Sequence, residues 1–211
     1  VHTPPPDTVL LNGHDARDVP LDQLREAMAV VPQSPFLFST TLRENVLFGR
    51  PYDEDRYNRA LDSAQLRADL AHLADGELTE IGERGINLSG GQKARIAIAR
   101  AMYHEADIYI FDDVLSALDA HVGKHVFDEC VGKLRELGRT VLMATNQLHV
   151  LPRADLVVFV KHEDMSAQSR GWLGNIGTFE ELMHNADFAQ LMEEVGISEE
   201  DFTRTPKARN A

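Results

Sequence analysis

Residues Asn87 to Ala101 read N-L-S-G-G-Q-K-A-R-I-A-I-A-R-A. A serine and two glycines stand directly before a run in which Ile96, Ala97, Ala99 and Ala101 have helical spacing. Backbone N–H groups bared at such a helix start are a ready-made place for a phosphate. The G-x-x-x-x-G-K-[ST] loop that would hold the phosphate is nowhere in the 211 residues. Gly123-Lys124 lacks the earlier glycine and is followed by His125. The stretch therefore reads as half of a nucleotide site.

The chain is long enough for one domain with a proper core, and 43% hydrophobic with 26% charged residues is ordinary for a globular protein. A formal net charge of −13 with scattered Lys and Arg excludes a general nucleic-acid binder, which needs clustered cations. The single cysteine, Cys130, has no partner for an internal disulfide and fits a reducing compartment. Its neighbours Val126, Phe127, Val131 and Leu134 make it an inert residue on a buried helix face. No apolar stretch approaches the ~20 residues that span a bilayer, and the start V-H-T-P-P-P-D does not read as a signal peptide. The start V-H-T-P-P-P-D lacks a methionine and runs into a strand, as a fragment would.

The pattern alternates strands and helices. A strand over Thr8–Leu11 ends at the turn Asn12-Gly13, and a short helix over Leu21–Ala27 precedes the apolar run Met28–Val31. Thr41-Leu-Arg-Glu44 has the form of a capping box, and Gly49 and Pro51 end the helix it opens. A helical stripe of Tyr57, Leu61, Ala64, Leu66 and Leu70 runs from Asp53 to about Leu73. Ile108–Phe111 is apolar on both faces, as a buried parallel strand is. A helix over about 123–137, a strand Thr140–Ala144 and a third strand Leu156–Val160 follow; Thr178-Phe-Glu-Glu181 opens a late helix. The fold class expected is α/β with a largely parallel sheet.

In such sheets ligands bind beyond the carboxyl ends of the strands. Three ends here carry polar groups: Pro32-Gln33, Asp112-Asp113 and Thr145-Asn146. Two carboxylates after a buried strand suit a magnesium nucleotide, one orienting Mg²⁺ and the other polarising water. The plainer reading is that Asp112-Asp113 only caps a turn.

Taken together the motifs are specific; Leu88-Ser-Gly-Gly-Gln92 alone has odds on the order of one in several thousand in a chain of this length. Followed by a strand ending Asp112-Asp113 and by Ser116-Ala-Leu-Asp119, it resembles the nucleotide-binding domain of ABC transporters from about Thr8 to Leu191. The resemblance implies a P-loop NTPase-like core with an inserted helical subdomain. It makes Gln33 the Q-loop glutamine that senses Mg²⁺ and the transmembrane partner, and Leu88–Gln92 the signature. Ile108–Asp112 becomes Walker B with Asp112 toward the metal, Asp113 the position of the catalytic base, and Ser116–Asp119 the D-loop at a dimer interface. Thr79–Gly85 is similar to the segment that meets transmembrane coupling loops in exporters. F-S-T-T-L-R-E-N-V-L-F-G, D-D-V-L-S-A-L-D-A-H-V-G-K-H-V-F and T-N-Q-L-H-V-L-P resemble subfamily C, the multidrug-resistance-associated group, in its first nucleotide-binding domain.

In that family the signature acts in trans, so Ser89, Gly90, Gly91 and Gln92, with Asp119, would close over ATP held by a second nucleotide-binding domain. The implied partners are that domain and the transmembrane domains of the same transporter, the membrane being met only through them. The implied ligands are ATP and Mg²⁺, and the place is the cytoplasmic face of a membrane. The chain's own Walker A loop is expected just upstream of Val1. The boundaries that follow are a partial ATPase core over 1–40, a helical subdomain over 41–86, signature helix and remaining core over 87–191, and a linker or tail over 192–211.

Two positions depart from the family pattern. Asp113 stands where Glu is usual, and one methylene fewer leaves the carboxylate about 1.5 Å short. Asn146 stands where a histidine normally meets the γ-phosphate, and asparagine cannot carry a proton at neutral pH. The site built on this chain's Walker B is thus expected to bind ATP and hydrolyse it slowly, while the intact signature serves a competent partner site. Outside this pattern, His121 and His125 have zinc-ligand spacing but no supporting motif and read as a solvated face. Trp172 reads as hairpin packing, and Thr205-Pro206 is a weak phosphorylation motif on the tail. Two other classes stay open: a truncated, non-catalytic interaction module, and a soluble ABC ATPase.

Overall fold

A computed structural model of the chain describes residues 9–85, 87–162 and 171–197. Thr8, the tail from Ser198 with Thr205-Pro206, and the side chain of Trp172 lie outside the described residues. The described chain forms two compact units that meet in sequence between Thr145 and Asn146.

The first unit opens with a two-stranded hairpin, β1 (Leu10–Leu11) and β2 (His14–Asp15). Asn12 and Gly13 both take positive φ, 50° and 81°, as the tight turn signalled by Asn-Gly requires. Helix α1 (Leu21–Ala27) leads directly into β3 (Met28–Val31). Helix α2 (Leu42–Leu47) starts where Thr41 Oγ1 accepts the Glu44 N–H and stops at Phe48, in the left-handed region at φ 49°. Asp53 caps α3 (Glu54–Ser63). The apolar stripe expected as one helix to Leu73 is broken at Gln65, φ 51°, and resumes as α4 (Arg67–Ala71). A side-chain stripe records which residues are buried; it does not record a one-residue reversal of the backbone.

Helix α5 (Gly90–His104) forms the centre of this unit, packed against α2, α3 and β3. Ile96, Ile98, Ala99 and Tyr103 are fully buried, and each large apolar side chain so placed contributes about 1.5–3 kcal/mol. Strand β4 (Ile108–Asp112) follows. Asp119 then caps α6 (Ala120–Val126), which widens into π turns over Phe127–Gly132 and ends as α7 (Lys133–Glu136). Cys130 lies there, fully buried, donating to Ser63 O at 3.3 Å, and burial pushes its thiol up to about 12.

With β5 (Thr140–Ala144) the sheet has the order β3-β4-β5, all parallel, Val31 beside Phe111 beside Met143. One face is buried through Ala29, Val31, Tyr109 and Phe111. On the other, Ile108 and Ile110 of β4 are half-buried, while Val30 and Leu142 on the flanking strands are 57% and 61% exposed.

In the second unit β6 (Val157–His162) pairs antiparallel with β7 (Gly171–Gly177). The third strand of the sequence alternation thus belongs to an antiparallel pair, and Trp172 falls on its second strand. Thr178 and Glu181 make a reciprocal capping box for α8 (Phe179–Leu182). Asn185 restarts the chain as α9 (Ala186–Glu194), making two helices where one was expected. Val157, Phe179, Leu182, Phe188 and Met192 form this unit's core. Among the described residues no helix is long and apolar enough to cross a membrane.

Candidate functional site

Ser89 caps α5 as its sequence foretells. Its Oγ accepts the Gln92 N–H at 3.2 Å, and the Gln92 Oε1 accepts the Ser89 N–H at 2.9 Å. This reciprocal box consumes the third N–H of the helix and leaves those of Gly90 and Gly91 at an exposed terminus. The Ser89 hydroxyl still has its proton to donate. The positive end of a four-turn helix adds to the attraction for an anion.

The two glycines differ. A Cβ on Gly90 would meet nothing within 4 Å, whereas one on Gly91 would meet Ala117 O at 3.1 Å and Arg95 Nη1 at 3.3 Å. Gly90 is therefore open to an approaching ligand, and Gly91 lets α5 lie against the turn Val114–Ala117. Gln92 is held at both ends: its Nε2 donates to Asp69 Oδ1 at 3.2 Å. The same carboxylate takes a two-pronged ion pair from Arg95, at 2.7 and 2.8 Å, with both side chains largely buried. Just before the signature, Asn87 accepts the Gly82 N–H at 3.1 Å and donates to Glu80 O at 3.3 Å. Gly85, at φ 66°, lies where a Cβ would press on Leu37 and Lys93, at 3.1 and 3.2 Å. The segment Thr79–Gly85 is fastened as well to Thr40 and Leu42, through Leu42 N to Thr79 O and Ile81 N to Thr40 O.

At the end of β4 Asp113 is bonded both to the next strand and into the turn that follows. The Asp113 N–H donates to Ala144 O at 2.8 Å, one step beyond the β4–β5 ladder, and its carbonyl accepts the Ser116 hydroxyl at 2.7 Å. Its carboxylate makes no cap bond to the turn Val114–Ala117, and Oδ2 accepts Gln33 Nε2 at 3.2 Å across 80 residues. Asp113 is left-handed, φ 46°, a conformation that costs about 1–2 kcal/mol and that aspartate tolerates better than most. Asp112 is exposed at the strand's carboxyl end. The fold thus brings Gln33 to Asp113 across the sheet, with Asp112 the preceding residue at the end of β4.

Asp119 is exposed, and its Oδ1 accepts the Val122 N–H at 3.0 Å, so it starts α6 besides standing on the exposed Ser116–Asp119 turn. Asn146 is exposed at the first position of the second unit. Hard oxygen donors at Asp112 and the Gln33 amide fit a magnesium ion, which would neutralise phosphate charge there. No nitrogen- or sulfur-rich cluster competes: among the described residues no three His, Cys, Asp or Glu side chains gather as a metal site.

Several residues without a sequence signal shape this region. Asn45, fully buried, pairs with both backbone groups of Phe38, at 2.9 and 3.0 Å. Phe36, Phe38 and Phe48 form an exposed aromatic patch, ring centres 5.0 and 5.4 Å apart in succession. Beside it opens a cleft of about 960 Å³ lined by Leu21, Leu24, Val30, Phe48, Arg50 and His104. Arg50 forks onto Glu26 at 2.8 Å on each prong, and His104 Nε2 lies 2.8 Å from both Arg50 Nη2 and Glu26 O. Burial holds the His104 pKa below its usual value. Neither the exposure of these aromatics nor their meeting across ten residues of loop and helix is written in the sequence.

A family description, ABC transporter, matches residues 1–116. The chain is 42% identical over 177 residues to ABC transporter C family member 12 of Dictyostelium discoideum, covering 83% of this chain and 13% of that one. It is 45% identical over 171 residues to the ABC-type transporter cicA of Emericella nidulans, covering 81% and 12%. It is 47% identical over 166 residues to ABC transporter C family member 9 of Arabidopsis thaliana, covering 78% and 10%. The chain thus spans about an eighth of the length of such relatives or less. Among solved structures, a bacterial Atm1-family ABC exporter with ATP bound superposes with a TM-score of 0.79 at 28% identity, over 90% of this chain and 32% of that one.

Proposed function

The chain belongs to the ABC transporter family, and from that we propose that it is a nucleotide-binding domain that couples ATP to the export of organic compounds, in the manner of a subfamily C first domain. The observation that carries this reading is the start of α5. It is capped by its own Ser89–Gln92 box and exposed, with open space above Gly90.

On this reading Ser89 and the N–H groups of Gly90 and Gly91 meet the phosphates of an ATP carried by a second domain. Gln92 works through Ser89, since both ends of its amide are already engaged. The exposed Ser116–Asp119 turn meets the same partner. Gln33, Asp112 and Asp113 belong to the chain's own site, where Mg²⁺ held by Asp112 and Gln33 would offset phosphate charge. Asp113 is the base position, and Asn146 the position that would contact the terminal phosphate. That own site is slow: the shorter carboxylate at Asp113 sits back from the water, and Asn146 cannot take a proton. The transmembrane partner and placement on the cytoplasmic face of a membrane are supported by the likeness to ABC transporters, and the exposed patch of Phe36, Phe38 and Phe48 is a surface that such a partner would cover. On this reading residues 1–40 are a partial ATPase core, 41–86 a helical subdomain, 87–191 the signature helix with the remaining core, and 192–211 a linker or tail.

The test is made in the full-length protein. Replacing Asp113 by Glu together with Asn146 by His is expected to raise turnover at this chain's own site; no gain would sink the geometric argument. Ser89→Ala is expected to stop transport while ATP remains bound at the chain's own site.

A further inference from the structure

Arg100 lies eleven residues along α5 from Ser89, about 16 Å down the same rigid rod. Its Nε donates to Asn45 O at 2.8 Å, its Nη1 to Phe36 O at 2.9 Å and its Nη2 to Asn45 Oδ1 at 3.3 Å. The guanidinium lies 4.3 Å from the centre of the Phe48 ring. All these acceptors are neutral. Taking a cation out of water without a counter-ion is costly, and burial lowers the Arg100 pKa to about 10. Arg95 on the same helix, by contrast, has its carboxylate in Asp69. What Arg100 supplies is its planar fork, which spans a loop carbonyl and a helix residue at once, as a lysine ammonium cannot.

The loop so gripped is the one that carries Gln33. Phe36 is held by Arg100, Leu37 is 2% exposed in the core, and Phe38 is held on both backbone groups by Asn45. Pro32 and Pro35 fix φ on either side of Gln33-Ser34 and stiffen the remaining link. At its end Gln33 donates to Asp113.

We infer that Arg100 is a positioning residue that makes the Gln33 loop move with the signature helix. Nucleotide engaging Ser89 in one composite site is thereby felt at Gln33 and Asp113 in the other. This rests on the reading above, in which Ser89 and Gln33 serve different sites.

The experiment loads the full-length transporter with an azido-ATP, chases with unlabelled ATP for increasing times before irradiation, and follows the lifetime of bound nucleotide on this domain's own site by the label captured. With Arg at position 100, Ser89→Ala is expected to change that lifetime at least about fivefold, the lower end of ordinary coupling between sites. In the Arg100→Lys background the same Ser89→Ala change is expected to leave the lifetime within about twofold. A merely structural Arg100 would shift thermal stability and lifetime but leave the Ser89 effect intact, and that result overturns the inference. Should Arg100→Lys fold poorly, a glycine inserted between Ser34 and Pro35 keeps every Arg100 bond while slackening the link. It is expected to abolish the Ser89 dependence equally, and full retention of that dependence refutes the proposal. ATP turnover is read in parallel. If Ser89→Ala leaves turnover unchanged, the two-site reading itself fails; if turnover falls but the Ser89 effect on lifetime survives Arg100→Lys, only the inference fails.

Discussion

Asn45 offers the sharpest stability test of how the Gln33 loop is held. It is fully buried, and its amide makes four hydrogen bonds: from the Phe38 N–H, to Phe38 O, to Thr41 O at 3.1 Å, and from Arg100 Nη2. At a net value near 1 kcal/mol each, Asn45→Ala is expected to cost about 3–5 kcal/mol. That is a large share of the roughly 5–15 kcal/mol that keeps a domain folded. Asn45→Asp separates hydrogen bonding from shape, because it removes no volume. It keeps the acceptor facing Phe38 N, sets an oxygen against the carbonyls of Phe38 and Thr41, and gives the Arg100 guanidinium a counter-ion, so it is expected to cost less than alanine but more than about 1 kcal/mol. Urea unfolding followed by tyrosine fluorescence is the assay, since Tyr52, Tyr57, Tyr103 and Tyr109 all lie in the first unit. The midpoint should fall with the slope unchanged. A loss below about 1 kcal/mol for Asn45→Asp would refute the reasoning, because the buried amide would then not be holding the loop by its donors.

Other outcomes follow from the same geometry. Gly91→Ala, pressed against Ala117 O, should be about 1–2 kcal/mol less stable than Gly90→Ala, which points into open space; thermal melts of the two variants compare them directly. Burial lowers the His104 pKa, so as pH falls below about 6.5 the unfolded chain takes up a proton first. Stability present above that pH is lost as pH falls through the folded value, and His104→Gln should flatten this part of the pH–stability curve. Cys130, its thiol pushed up to about 12, should resist alkylation at mildly alkaline pH in the folded chain and react at once in urea; mass spectrometry over time reads both.

How far the sequence reaches depends on the range of each interaction. Thr41, Ser89, Asp119 and Thr178 start helices by accepting an N–H three residues on, so their roles are written in adjacent residues. Met28–Val31, Ile108–Asp112 and Thr140–Ala144 read as strands because apolar β-forming runs have few other uses in a chain with helices between them. The ordered motifs Leu88–Gln92, Asp112-Asp113 and Ser116–Asp119 are equally local, and they were enough to mark the family.

What acts across the fold was closed to that kind of reading. Gln33 meets Asp113 over 80 residues, Arg95 meets Asp69 over 26, and Arg100 meets Phe36 over 64. Each contact is possible only once the parallel sheet and α5 have set the distance. Nor did the pattern distinguish Gly90 from Gly91, although one faces solvent and the other a carbonyl. It also carried a helix straight through Gln65, where a single left-handed residue turns the chain. Sequence alone therefore determined the family, the strands and caps, because those depend on neighbours a few positions apart, and it marked the residues proposed for the chemistry. Tertiary structure decided which of these residues touch, which glycine is open to a ligand and which cation grips the Gln33 loop. Those depend on packing among elements distant in the chain.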